Sequence, residues 1–501
     1  MHRSGLVIYM VVYNHFENDS RVRKEAVTLA KAGHAVTIVA VWKPGLMREQ
    51  KIGDVRVIRL ANTPLHIRVL GQQNFDRLKI LVYGPSGPNR PLVPGGTPPG
   101  GVRSGAGMGS ADQVMSGGNI SGRSISGGSI SGGAGQKQKK KSPWRNLLQF
   151  SVSTAKKLVF TCGFYAEAAR FFSKQKGRAD VFHAHDLNTL YICHRMAKKS
   201  GAALVYDSHE LFVHRNRPYD PPGWFLGLET WFEKKYIRRA DAVITVSRSI
   251  AAYLEKVYGI ARPWLIMNAP HQVYDNQVQD NQVQDNQVQD NQVQDNEVHG
   301  NPVHGSRGEK KYLLRNALHI NKNYTILLYA GGITFGRGLD AVIESLAHAD
   351  NLFFVMMGPG TPQFKAYLTA VAEKENVADR VAFFGPVPYE AVTAYTASAD
   401  IGIAPIENVC LSYYFCAPNK VFEYIQGGIP VVASNFPDLA HIVEKNRIGL
   451  VCDTAEPRAI AAAVEQVLDN YHFHVRRIRK IRHRYCWENE AMKLEQLYQN
   501  L

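Results

Sequence analysis

At 501 residues, 45% hydrophobic and 20% charged, the chain is long enough for two or three domains and has the composition of a globular protein. No run approaches the roughly 18 uninterrupted apolar residues of a spanning helix, and no signal-like core with a cleavage site follows Met1, so neither a membrane span nor a leader is expected. The net charge of +16 gathers in two runs, Lys137–Lys141 and Arg476–Arg484. Such runs attract anionic lipid or an acidic acceptor; nucleic acid is disfavoured because no nucleic-acid motif accompanies them. The six cysteines form no C-x-x-C pair and no zinc spacing, which predicts free thiols in the cytoplasm and no metal centre.

In chain order, Leu6–Val12 predicts a strand and Arg21–Ala32 a helix, capped by Asp19 or Ser20 and stopped at Gly33; Ala35–Trp42 and Val55–Leu60 predict further strands. Residues 84–142 are rich in Gly, Ser and Pro and repeat Ser-Ile-Ser-Gly-Gly. They bury too little apolar area to offset the entropy of ordering, so a disordered insertion is expected. An amphipathic helix is predicted near Leu147–Ser173. Val181–Ala184, Leu204–Tyr206 and Ala242–Val246 are short apolar runs suited to buried parallel strands. His183-Ala184-His185-Asp186 ends one of these. With no third ligand at useful spacing it reads as a structural strand end rather than a metal site. Tyr206-Asp207-Ser208-His209-Glu210 ends the next, where Asp207 and Glu210 read either as acceptor-hydroxyl contacts or as helix caps. Asn268-Ala269-Pro270 marks a crossing into residues 271–306, where the Asp-Asn-Gln-Val-Gln repeat has a period that fits neither helix nor strand.

The second half repeats the plan, with strands over Ile326–Tyr329, Leu352–Met357, Val381–Phe384, Ile401–Ala404 and Val431–Ala433. Strand–helix alternation predicts an α/β chain of two facing, doubly wound Rossmann-like domains, over 1–270 and 307–484, with ligands in the cleft at the strand ends. A glycine-rich turn, Gly331-Gly332, lies upstream of Arg337, a cation suited to a phosphate. Pro418-Asn419-Lys420 opens a helix whose N–H groups suit anionic oxygens, with Glu423 placed to accept ribose hydroxyls. Residues 485–501 read as a terminal helix with Met492, Leu494 and Leu497 inward.

Gly331-Gly332…Arg337-Gly338-Leu339, then Met357-Gly358-Pro359-Gly360, Phe384-Gly385-Pro386-Val387 and Asn419-Lys420-x-x-Glu423 together resemble the C-terminal half of a GT-B glycosyltransferase of family 4, or group 1. The resemblance covers roughly residues 5–60, 178–270 and 312–500. It implies a nucleotide-diphospho-sugar donor, transfer with retention at the anomeric carbon, and a base held near Gly385–Val387. It also implies that His209 lies against the donor sugar and that residues 485–501 return to the first domain. On this basis His209, Arg337 and Lys420 are the expected catalytic residues. Glu423, Gly332, Asn419, Gly358 and Val387 are the expected donor contacts, Asp207 and Glu210 the expected acceptor contacts, and no metal is expected.

Three departures stand out. The family's carboxylate eight residues before Glu423 is Phe415 here, which leaves Asn419, Glu407 or backbone amides around Ser412–Asn419 to serve. The usual cation five residues before Arg337 is Gly332, a charge Lys420 would supply. The loop Asn14–Ser20 lacks paired glycines. The reading is a glycosyltransferase acting on a glycan or lipid-linked acceptor, cytoplasmic or peripheral on an anionic membrane. Its alternatives are a nucleotide-sugar 2-epimerase of the same fold and a non-catalytic sugar-nucleotide-binding protein.

Overall fold

The computed structural model describes residues 5–62, 143–273 and 312–501, except residues 18, 176, 178 and 218–220. The insertion expected at 84–142, and all but the first three residues of the segment 271–306, lie outside the described residues.

Two sheets organise the described residues. The first contains β1 (Val7–Val11), β2 (Ala35–Trp42), β3 (Glu49–Ile52), β4 (Val55–Ala61), β5 (Val181–His185), β6 (Ala203–Ser208), β7 (Ala242–Thr245) and β8 (Trp264–Leu265). Their order is β3-β4-β2-β1-β5-β6-β7-β8, parallel throughout except for β3, which runs antiparallel at the edge. The second contains β9 (Thr325–Ala330), β10 (Leu352–Met357), β11 (Val381–Phe384), β12 (Ile401–Ala404), β13 (Val431–Ser434) and β14 (Gly449–Cys452), all parallel in the order β11-β10-β9-β12-β13-β14. Helices on both faces explain why β5 and β10 are buried along their whole length, and why β10 is apolar throughout rather than alternating.

Each sheet has one strand, β1 or β9, from which the order runs outward both ways, and crevices open at such points. Between β9 and β12 the pairing covers only Leu327 with Ile401 and Leu328 with Gly402. Beyond it Tyr424 fills the gap: its hydroxyl accepts the Ala330 N–H at 3.1 Å and donates toward the Leu328 and Ile403 carbonyls, each at 3.0 Å. A Cβ on Gly402 would come within 2.4 Å of the Tyr424 ring, so that strand position must stay bare.

The helix Ser20–Lys31 begins where Asp19 accepts the Val22 N–H, as the sequence predicts. The terminal helix Trp487–Gln499 docks on that helix and the first sheet. Trp487 donates its backbone N–H to Pro270 at 2.8 Å and its indole N–H to Thr28 at 3.0 Å, while Leu494, Leu497 and Tyr498 join the first-lobe core. Met492 is a correction. It is 61% exposed, because the inward stripe runs through Trp487, Glu490, Leu494 and Leu497, and position 492 falls on the opposite side of the helix.

Candidate active site

The second-lobe wall of the cleft is built by glycines. β9 ends at Ala330, and Gly331 follows at φ +138°; a Cβ on Gly358 would lie 2.1 Å from the Gly331 carbonyl oxygen. Gly358 therefore serves the wall from behind and does not line the cavity. The next turn places Gly338 at φ +59°, where a Cβ would meet the Pro405 oxygen at 2.6 Å, and the Gly338 N–H donates to Glu407 Oε1 at 2.8 Å. Glu407 thus braces the turn instead of standing where Phe415 replaces the family carboxylate. Arg337, carried by that turn, lies 4.6 Å over the Tyr413 ring, and its buried Nε has no hydrogen-bond partner.

The helix Asn419–Gly427 opens behind Pro418, whose missing N–H is harmless at that position. Lys420, in its first turn, sits 4.4 Å over the Tyr329 ring. Burial, reinforced by Arg337, pulls its pKa down to about 7. Glu423, one turn further on the same face, is pushed up to about 6 by burial, against the pull of Lys420 and Lys24. With Gly332, Arg337 and Asn419 these groups face the first lobe across a cavity of about 770 Å³.

The opposite wall rests on a buried charge network. Arg21 grips Asp207 with two hydrogen bonds of 2.8 Å and donates a third to the Ile266 carbonyl at 2.7 Å. Asp207 Oδ2 also lies 2.9 Å from His209 Nε2. Burial works against the charge on Asp207, but Arg21 and then His209 hold its carboxyl well below the usual range. Burial likewise opposes charge on His209, yet Asp186 and Asp207 outweigh it and push the pKa up to about 10, so the ring is an imidazolium at neutral pH. Beside them Glu25 is pushed up by burial and by Asp207, and His183 stacks on His185 at 4.3 Å.

Glu25, His183, His185 and Asp207 gather donor atoms within 4.8 Å of one another, a set of metal-ligand type that the sequence reading missed because its members come from three separate elements. Arg21 stands where a cation would, with Nε 3.1 Å from Glu25 and 2.8 Å from Asp207.

His209 and Glu210 line the cleft from this side, together with Arg21, which the sequence did not single out. Asp207 is fully buried beneath them with both oxygens occupied, so the acceptor contact expected of it is not sterically open. Val387 is likewise absent from the cavity lining and packs against the second-lobe core. Phe415 packs against Tyr253 and Tyr414, and its carbonyl accepts the Ser247 hydroxyl proton at 2.6 Å, so this position joins the lobes. The glycine-free first loop closes on itself: Asn14 Oδ1 accepts the Phe16 N–H at 2.8 Å and Asn14 Nδ2 donates to Asp19 at 2.7 Å.

Two parallel sheets meeting across a cleft define a GT-B protein. Residues 311–484 match the model of the glycosyl transferases group 1 and residues 132–268 that of Glycosyltransferase Family 4, and the chain belongs to this family of glycosyltransferases. Among solved structures, a sucrose-phosphate synthase from Thermosynechococcus elongatus superposes with TM-score 0.63 at 16% identity, covering 99% of this chain and 98% of the other. Anabaena HepE in complex with UDP gives 0.58 at 11% identity, over 99% and 100%. Among curated relatives, an uncharacterised glycosyltransferase of Methanocaldococcus jannaschii is 24% identical over 197 residues, 38% of this chain. A D-inositol 3-phosphate glycosyltransferase of Xylanimonas cellulosilytica is 22% identical over 62% of this chain and 68% of its own length. The match spans only 48% of the Methanocaldococcus protein and 42% of a Mycobacterium tuberculosis glycogen synthase.

Proposed function

We propose that the protein is a retaining glycosyltransferase that moves a hexose-like group from a nucleoside-diphosphate sugar to an acceptor hydroxyl. The observation that carries this reading is the unpartnered Nε of Arg337, buried at a glycine turn with Lys420 in the same cavity. A diphosphate would provide the counter-charge both lack. Structures of the same fold hold UDP or UDP-glucose in Anabaena HepE and ADP in an Arabidopsis thaliana starch synthase, which favours a nucleotide at this place.

In this reading Arg337, Lys420 and the N–H groups at Asn419 stabilise the leaving diphosphate, and no metal is required for that charge. Glu423 accepts ribose hydroxyls. His209 lies against the sugar as a fixed cation. Burial and Asp186 push Glu210 up to about 7, which suits a carboxylate that exchanges a proton with an acceptor hydroxyl. The test is a panel of nucleotide sugars without acceptor, read by mass spectrometry: slow nucleotide release supports transfer, and its absence with every donor removes the reading. Phe415 favours one rival, a binding protein without chemistry, which would bind donor and release nothing.

In the same proposal, the glycan or lipid-linked acceptor is met at an anionic membrane surface on its cytoplasmic side. No described helix is long and apolar enough to cross a membrane. The helix Gly223–Ile237, however, exposes Trp224, Leu228 and Trp231 by 67%, 52% and 55%. These positions share one face, and Lys235 lies 4.8 Å over the Trp231 ring. Leu226 and Phe232 pack instead against the core. Aromatic and cationic groups on one face suit the lipid interface.

A further inference from the structure

A second cavity, about 300 Å³, lies at the seam of the two lobes and shares Val246 and Ala417 with the donor cleft. Its lining carries Arg248 from the first lobe, Lys445 from the second, Arg484 from the crossing segment and Lys493 from the terminal helix. The one carboxylate among the lining residues is Asp438, and both its oxygens are taken, by the backbone N–H groups of Arg248 at 2.9 Å and Ser249 at 3.1 Å. Lys493 is paired with Glu490 at 2.8 Å. The side chains of Arg248, Lys445 and Arg484 have no ion-pair partner among the described residues.

Three unpaired cations converging on one cavity repel each other, and an anion relieves that repulsion. His441, which also lines the cavity, reports the field independently: burial, then Arg248 and Lys445, hold its pKa below the ordinary value. The floor is different in kind, being formed by Val246, Leu265, Met267 and Ile442. A bare inorganic ion leaves that floor wet. A phosphate attached to a compact apolar or ring-shaped body covers it while meeting the cations.

Position gives the cavity a consequence. Ala417 directly precedes Pro418, the residue before the helix that carries Asn419, Lys420 and Glu423. A ligand here touches both lobes and the start of the donor-binding helix at once.

We propose that the seam cavity binds a small phosphomonoester, its phosphate held by Arg248, Lys445 and Arg484 and its body laid on the Val246–Ile442 floor, and that occupancy tightens nucleotide binding in the main cleft. The effect is reciprocal, since coupling between two sites must act equally in both directions. The second clause rests on the cleft being a nucleotide site, whereas the first does not.

The experiment uses the full chain, phenyl phosphate as probe, and inorganic phosphate and phenol as controls, by isothermal titration calorimetry with the main cleft filled by nucleoside diphosphate. Phenyl phosphate is expected to bind more tightly than either control. The double variant Lys445→Glu/Arg484→Glu is expected to weaken it about tenfold or more while leaving nucleotide affinity without phenyl phosphate unchanged. Lys445→Arg, a check on folding, should retain binding. Equal binding of inorganic phosphate and phenyl phosphate overturns the assigned ligand. Undiminished binding to the double variant overturns the site. Binding of phenyl phosphate with no change in nucleotide affinity overturns the coupling alone.

Discussion

Glu423 and Lys420 titrate on either side of near-neutral pH, and this makes the donor reading testable at single residues. Glu423 is ionised, and able to accept two hydroxyls, above about pH 6. Lys420 is charged below about pH 7. Nucleotide-sugar affinity is therefore expected to be greatest between these values, falling on the acid side as Glu423 protonates and on the alkaline side as Lys420 loses its proton. Lys420→Arg should flatten the alkaline limb, because a guanidinium keeps its charge. Calorimetry across pH 5–9 checks both limbs, and an affinity independent of pH would detach these groups from the ligand. Glu423→Gln should cost about 1–3 kcal/mol of donor affinity through loss of charge-assisted bonds. Arg21 answers to stability instead. Arg21→Met leaves the buried Asp207 without its guanidinium, a loss expected to be about 3–5 kcal/mol, read from the urea midpoint. That Arg337, Lys420 and Glu423 line one cavity was legible because turn and helix-start chemistry is local. Arg21 was not: nothing at positions 19–25 announces that Asp207, 186 residues away, lies opposite.

At the scale of elements, the strands of both sheets were legible from short apolar runs, since parallel strands covered on both faces need no polar alternation. β10, β11 and β12 match the predicted spans residue for residue. β3, β8 and β14 were not foreseen. The first is a half-exposed edge reading Glu-Gln-Lys-Ile, the second is only two residues long, and the third is a four-residue edge strand opening on a glycine. The helix Gly223–Ile237 shows what burial adds to sequence: its aromatics split, with Phe232 turned to the core and Trp224 and Trp231 outward. Replacing both exposed tryptophans by alanine should therefore leave the melting temperature nearly unchanged and abolish binding to anionic vesicles. The parent chain should bind such vesicles at low salt and neutral ones not at all, because the neighbouring cations act only on a charged surface. Co-sedimentation at two salt concentrations decides it. Equal partitioning to both lipids would leave the tryptophans without this role.

On the scale of the whole molecule, the terminal helix ties the chain's end to its beginning. Trp487, Leu494, Leu497 and Tyr498 are almost fully buried, and the hydroxyl of Tyr498 lies 2.9 Å from His183 Nδ1 at the back of the charge network. Burying four such side chains contributes about 1.5–3 kcal/mol each, an amount comparable to the whole net stability of an ordinary domain, about 5–15 kcal/mol. The second lobe depends on none of these four, which are absent from its core clusters; the outside residues that join those clusters are Ala269, Met267 and, upstream of the helix, Ile478, Ile481 and Tyr485. A chain ending at Cys486, which keeps Tyr485 on the Phe422 ring, is thus expected to melt in two steps, the first lobe early and the second near its original temperature. Nucleotide should raise only the upper step, because Lys420 and Glu423 belong to that lobe while ligand binding stabilises only the unit that binds. Differential scanning calorimetry with and without nucleoside diphosphate reads both transitions. A single transition close to that of the full chain would show that the first lobe stands without its returning helix.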